Sequence, residues 1–181
     1  MFCKIGIEGN NGTDELGILL RQQVGLFWRH DYLLLTDGAL MSSFPFSLPA
    51  KLSPALERVR GYWDTLKRTD NNMPFWDDVK LSALPDQADS LLLIDVFVLP
   101  ERFRFNTLGK DLAQRYREAL ISKFLDELDL RAPFSYLRAQ CSATVEARAP
   151  TYFSDADYSR LLLPMWGNGR IGMLLGVIGW Q

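Results

Sequence analysis

The sequence predicts an α+β fold: a five-stranded antiparallel sheet with a helical insert between its second and third strands, preceded by N-terminal amphipathic helices. Three observations predict it. Two β-prone runs, Leu91–Val98 and Arg102–Phe105, stand four residues apart and read as a hairpin. From Gly109 to Pro150 the apolar residues recur at helical spacing instead. After Pro150 three strand-like runs follow, the last two joined by Gly167-Asn168-Gly169. The order ββ–αα–βββ makes one sheet with helices against a face.

The chain divides at about residue 53. Residues 1–52 form an N-terminal extension. Thr13 is a plausible helix N-cap, with Asp14 and Glu15 in the first turn, where the dipole favours anions. Leu16, Leu19, Leu20, Val24, Phe27 and Trp28 follow at helical spacing and predict an amphipathic helix over 14–30. Pro45, Pro49 and several serines make 38–52 a linker. Ser53-Pro54 opens the second domain, 53–181, with a helix over 54–68 whose stripe is Leu56, Val59, Trp63 and Leu66. Met73-Pro74 breaks it, and a short helix is expected over 75–82.

In the insert, Leu112, Tyr116, Leu120, Phe124 and Leu128 are spaced by four and predict one helix from Gly109 onward. Pro133 starts a second, with Phe134, Leu137, Cys141 and Val145 on one face. Strands are expected over 151–155, 157–166 and 171–180. The Asn-Gly pair between the last two is a strong short hairpin signal.

Composition narrows the function. At 181 residues, the length fits one domain with an extension. Hydrophobic residues are 48% and charged residues 23%, enough apolar material to form a core. Lys and Arg number 20 against 22 Asp and Glu, so no cationic excess is left for a nucleic acid. Two cysteines, Cys3 and Cys141, do not make a disulfide scaffold. One histidine, His30, excludes two-histidine metal sites and is left as the only candidate for any triad. The most apolar window, Leu161–Trp180, is interrupted by Pro164, the Gly-Asn-Gly turn and Arg170, so it reads as two strands and not as a membrane span. Met1–Gly12 has no targeting pattern, and a cytoplasmic protein without membrane insertion is expected.

Strand alternation sorts the sheet faces. Asp95, Arg102, Arg104 and Arg160 are expected to point away from the insert. Leu92, Ile94, Val96, Phe103, Phe105, Leu161, Leu163 and Met165 are then left facing it. Tyr116, Phe124, Leu137 and Cys141 would form the helical wall of any cavity there. The opposite face carries Leu91, Leu93, Phe97, Leu162 and Trp166, too apolar to face water, and helix 54–68 is its expected cover. Trp28, Trp63, Phe97, Leu162, Trp166 and Trp180 are the candidate interface residues, and a homodimer through that side is expected.

The remaining motifs weigh toward structure. Ile5–Thr13 is Gly-rich like a phosphate loop, but Asp14 stands where a lysine is needed. His30 at a helix end lies outside the sheet domain, so no His-ligated haem is expected in it. Cys141 sits on an apolar stripe without a basic neighbour in sequence, which describes a core thiol. For Asp126, Glu127 and Asp129, as for Asp77 and Asp78, adjacent residues on a helix point about 100° apart and do not converge, so solvated faces or helix ends are the expected reading.

Several stretches together resemble a known family. Tyr62-Trp63 is followed by Met73-Pro74 and Trp76-Asp77-Asp78-Val79. Leu92-Leu93-Ile94-Asp95-Val96 leads to Arg102-Phe103-Arg104-Phe105 and Leu108-Gly109. Phe124-Leu125-Asp126-Glu127-Leu128 comes next. Tyr158-Ser159-Arg160-Leu161-Leu162-Leu163-Pro164 precedes Ile171-Gly172-Met173-Leu174-Leu175-Gly176. Over about residues 61–180 the chain resembles small standalone PAS-like proteins of alphaproteobacteria. One departure is Ser122, where members usually have glycine. The resemblance implies a PAS-like sheet and a role in signal transduction. It implies a non-enzymatic sensory module that works through a protein partner, with a small apolar ligand as an option. The cavity for such a ligand, as the resemblance implies it, lies between sheet and insert. Only on that ground are Phe105, Tyr116, Phe124, Leu137, Cys141, Ser159, Leu163 and Met165 a candidate ligand-lining set; ordinary core packing is the simpler account of most of them. No cofactor is expected, because the context Ala139-Gln140-Cys141-Ser142-Ala143 lacks the flavin-adduct signature of light sensors. The alternative is an apolar-ligand carrier or a small enzyme on the same α+β sheet.

Overall fold

A computed structural model describes residues 45–68 and 71–181. The expected helix over 14–30, with Trp28 and His30, lies outside the described residues, as do Cys3 and the Gly-rich stretch 5–13. The described chain is a five-stranded antiparallel sheet with helices. Its strands are β1 (Leu91–Val98), β2 (Glu101–Leu108), β3 (Thr151–Ser154), β4 (Tyr158–Gly167) and β5 (Arg170–Trp180). They lie in the order β2-β1-β5-β4-β3. The last strand in sequence is thus the central one. That position explains why β5 is apolar at both parities: it is covered on both faces.

Both expected hairpins are present. Val98 pairs with Glu101 around Leu99-Pro100. Gly167 pairs with Arg170, and the two turn residues Asn168 and Gly169 have φ of 54° and 76°. A two-residue hairpin needs left-handed backbone at both positions to match strand twist, and Asn-Gly supplies it at least cost.

α1 (Pro54–Thr65) starts at Ser53-Pro54 and ends three residues before the expected limit. The Ser53 side chain makes no cap hydrogen bond, so the proline carries the start. Leu56, Val59 and Trp63 are buried, as the stripe requires. The Trp63 indole donates to the Pro164 carbonyl at 3.0 Å, tying α1 to β4. A Cβ at Gly179 would meet Leu56 Cδ1 at 2.5 Å, which places α1 against the face that carries Gly179 and Ser159.

The expected helix over 75–82 is instead two short 3₁₀ turns, Trp76–Asp78 and Leu81–Ala83, and a third, Pro85–Ser90, follows. Here the chain is pulled onto the sheet: the Trp166 N–H donates to the Pro74 carbonyl at 2.8 Å and Phe75 bridges Trp166. A continuous helix from 75 could not keep that pairing.

The insert departs further from its spacing. α2 (Lys110–Tyr116) is short, and Arg117 stops it with a left-handed φ of 61° while donating to the Ala113 carbonyl. Residues 122–124 then run along β2. Ser122 N–H donates to the Phe105 carbonyl at 2.7 Å, Phe105 N–H to the Lys123 carbonyl at 3.1 Å, and Phe124 bridges Arg104. The edge of β2 leaves backbone groups in need of partners, and an extended segment meets them where a helix would not. The second helix, α3 (Leu137–Ala147), begins four residues beyond Pro133.

The face assignment holds for β1 and for Phe103 and Phe105 of β2 and is reversed for β4. Arg102, expected to point away from the insert, instead meets its Phe124, Asp126 and Glu127, because the insert wraps the β2 edge. Phe105 meets Phe134 of the insert, ring centroids 5.2 Å apart. A Cβ at Gly176 would touch both Leu92 and Leu162, so those two residues share a face. Arg160, two residues before Leu162, is fully buried under the insert and bonds to Gln140 of α3. Alternation then puts Arg160 and Leu162 toward the insert, and Ser159, Leu161, Leu163 and Met165 toward α1. The expectation treated a charge as solvent-seeking. With both faces covered, acceptor groups and not water decide where an arginine points.

Candidate functional site

Between the sheet and the insert the space is taken by side chains. Phe105, Tyr116, Phe134, Leu137 and Cys141 are all buried there. Phe134 is the hinge of the packing, 5.2 Å from both Phe105 and Tyr116 by ring centroid. The Tyr116 hydroxyl donates to the Asp129 carbonyl at 3.2 Å.

At the centre of this layer stands Arg160. Its Nε donates to Gln140 Oε1 at 2.7 Å, and its two terminal nitrogens donate to the carbonyls of Pro133 at 2.6 Å and Ser135 at 3.0 Å. Gln140 in turn donates to the Thr151 carbonyl at 3.2 Å, and the Thr144 and Thr151 hydroxyls lie 2.6 Å apart. Burial pushes the guanidinium down to about 10, opposed by the neighbouring Cys141 and Tyr158, so it is cationic at neutral pH. Among the described residues no carboxylate pairs with it. Three carbonyl-type acceptors compensate its charge instead. Burial pushes the Cys141 thiol up, only partly opposed by Arg160, and leaves it a protonated core thiol.

The other expected lining residues are placed elsewhere. Phe124 stacks on Phe97 at 5.4 Å and lies 3.7 Å under the Arg102 guanidinium, on the sheet face that carries Asp95. Ser159, Leu163 and Met165 belong to the α1 side, where the Ser159 hydroxyl donates to the Gly179 carbonyl at 3.4 Å. Of the expected interface residues, Trp63 and Leu162 are buried within the chain, while Phe97 and Trp166 are half-buried. Trp180 is 36% exposed.

Half of the described acidic residues serve ion pairs. Asp126 and Glu127 share Arg102 at 2.9 Å and 2.6 Å. Hydrogen bonding to Arg102 holds the Asp126 carboxyl below its usual range. Asp95 takes Arg104 at 2.7 Å and Asn106 at 3.0 Å. Among the described residues no group of three or more His, Cys, Asp or Glu is arranged to hold a metal ion.

A groove of about 800 Å³ opens at the end of α2, between the Ala132-Pro133 turn and the facing ends of β4 and β5. It is lined by Asp111, Gln114, Arg115 and Arg117 on one side and by Asp157, Tyr158, Trp180 and Gln181 on the other. Sequence reasoning missed it. Its residues come from four separate segments, 111–117, 132–133, 157–158 and 180–181, and of them only Trp180 was a candidate site residue.

The chain matches no protein-family model, no curated protein and no solved structure. Its function is therefore argued from its own residues.

Proposed function

We propose that residues 53–181 form a non-enzymatic PAS-like sensory or interaction module that passes its signal to a protein partner. The observation that carries this reading is the architecture: five antiparallel strands with the helical insert between β2 and β3. That is the arrangement the resemblance implies. The Arg160 network adds a physical means. One buried cation holds the Pro133 and Ser135 carbonyls at the start of α3 and Gln140 within it. The position of the insert on the sheet is thus set by a few buried hydrogen bonds, and a partner that engages the insert acts on all of them together. Any switch requires unequal binding to two arrangements of that insert.

The packed layer of Phe105, Phe134, Tyr116 and Leu137 favours a partner-binding role over carriage of an apolar molecule. An apolar ligand would have to displace these side chains. A cytoplasmic location and a homodimer belong to the same proposal. Crosslinking in the native cell, read by mass spectrometry on the full chain, tests it. Reproducible crosslinks from the insert to one signalling protein are the expected result. A stoichiometric apolar small molecule in native mass spectra, with no protein crosslinks, would favour the carrier reading instead.

A further inference from the structure

We infer that the groove at the end of α2 binds a small organic carboxylate. This site is distinct from the sheet–insert interior and stands whether or not the PAS-like reading does.

The first observation is an unmet proton. Tyr158 lines the groove and is 1% exposed, and its hydroxyl proton meets no acceptor. The nearby Arg160 guanidinium has only N–H groups, so it cannot accept the hydroxyl proton. A buried hydroxyl without an acceptor costs about 1–3 kcal/mol. What the site lacks is an acceptor oxygen.

The second observation is charge. Arg115 is already engaged, by Asp111 at 3.1 Å and over the Trp180 ring at 4.2 Å. Arg117 lines the same groove and has no ion pair among the described residues. Arg160 lies behind Pro133 without a carboxylate of its own. Among the groove's own lining, Arg115 is paired with Asp111, which leaves Arg117 and Asp157 each without an ion pair among the described residues and no net side-chain charge. A carboxylate supplies both missing things, an acceptor for Tyr158 and a counter-charge for Arg117. The partly exposed Trp180 offers a flat surface to a planar body, and the volume suits a small molecule.

The hydroxyl is covered in the free protein, so binding must shift Tyr158 and its neighbours and not Trp180 alone. Nuclear magnetic resonance titration of the full chain with benzoate tests this, with benzyl alcohol as the uncharged analogue and inorganic phosphate as a second anion. Saturable benzoate shifts are expected at Tyr158, Arg117 and the Trp180 indole, with a Kd of about 1 mM or tighter. Benzyl alcohol is expected to bind at least about tenfold more weakly, and Arg117→Gln and Tyr158→Phe each to weaken benzoate about tenfold. Tyr158→Phe is expected to be at least as stable as the native chain, because it removes a hydroxyl proton without an acceptor. The proposal is overturned by the absence of saturable shifts at these residues, by equal binding of benzyl alcohol, or by unchanged affinity in both variants. Phosphate binding as well as benzoate would overturn the carboxylate assignment. A destabilised Tyr158→Phe would show that the hydroxyl already serves the fold, and would count against the site.

Discussion

Arg160 is where one residue bears most on this molecule. It is fully buried and satisfies Gln140 and two backbone carbonyls of the insert. Arg160→Met leaves three buried acceptors without donors and is expected to lower stability by about 3 kcal/mol or more in denaturant unfolding. Arg160→Lys is expected to recover only part of this, since a single ammonium cannot reproduce the planar fork. A surface pair behaves differently. Asp126 is held low first by its hydrogen bond from Arg102, and Arg102 is raised by the same contact. A carboxyl lowered on folding adds stability that is present at neutral pH and lost as pH falls through its folded value. The melting-temperature gap between native protein and Arg102→Met is therefore expected to narrow below about pH 4. A gap that stays constant down to about pH 2 would assign the Arg102 effect to its stacking on Phe124 instead.

Among the elements, the segment after α2 is the least regular. Ser122 adopts φ of 68° while its N–H reaches the Phe105 carbonyl. That is a conformation in which glycine is least strained. Ser122→Gly is expected to raise stability by up to about 1 kcal/mol, and Ser122→Val to lower it by about 1–2 kcal/mol, both read from unfolding midpoints. The same segment shows why the helical spacing misled. Leu112 and Tyr116 do lie on α2, but Leu120 is in a turn region and Phe124 is in extended backbone beside Arg104. A four-residue spacing is necessary for an amphipathic helix, not sufficient. The pull of an unpaired strand edge is a tertiary effect that no local window contains. The hairpins were legible because their signals are local: Asn168-Gly169 carries its own backbone preference.

For the whole molecule, the question is what covers the sheet. α1 covers one face through Leu56, Val59 and Trp63, and the insert covers the other. Trp63→Ala is accordingly expected to cost about 3–5 kcal/mol of stability, seen in unfolding, with no change of mass in light scattering of the folded fraction. A change of mass with unaltered stability would return Trp63 to a subunit interface. No helix among the described residues is long and apolar enough to cross a membrane, which agrees with reading Leu161–Trp180 as two strands.

The sequence by itself determined the order of strands and insert, the helix start at Ser53-Pro54 and the Asn-Gly hairpin, because each depends on contacts between near neighbours. It also marked Leu56, Val59 and Trp63 as one buried stripe, since helical geometry fixes which residues share a face. Only the tertiary structure decided that β4 presents Arg160 to the interior, that α2 stops at Arg117, and that Tyr158, Arg117 and Trp180 line one groove. Each of those depends on groups distant in sequence: acceptors at Pro133, Ser135 and Gln140, the open edge of β2, and the meeting of α2 with the ends of β4 and β5. A side chain's preference for water is local. Whether a better partner waits inside is decided by the chain as a whole.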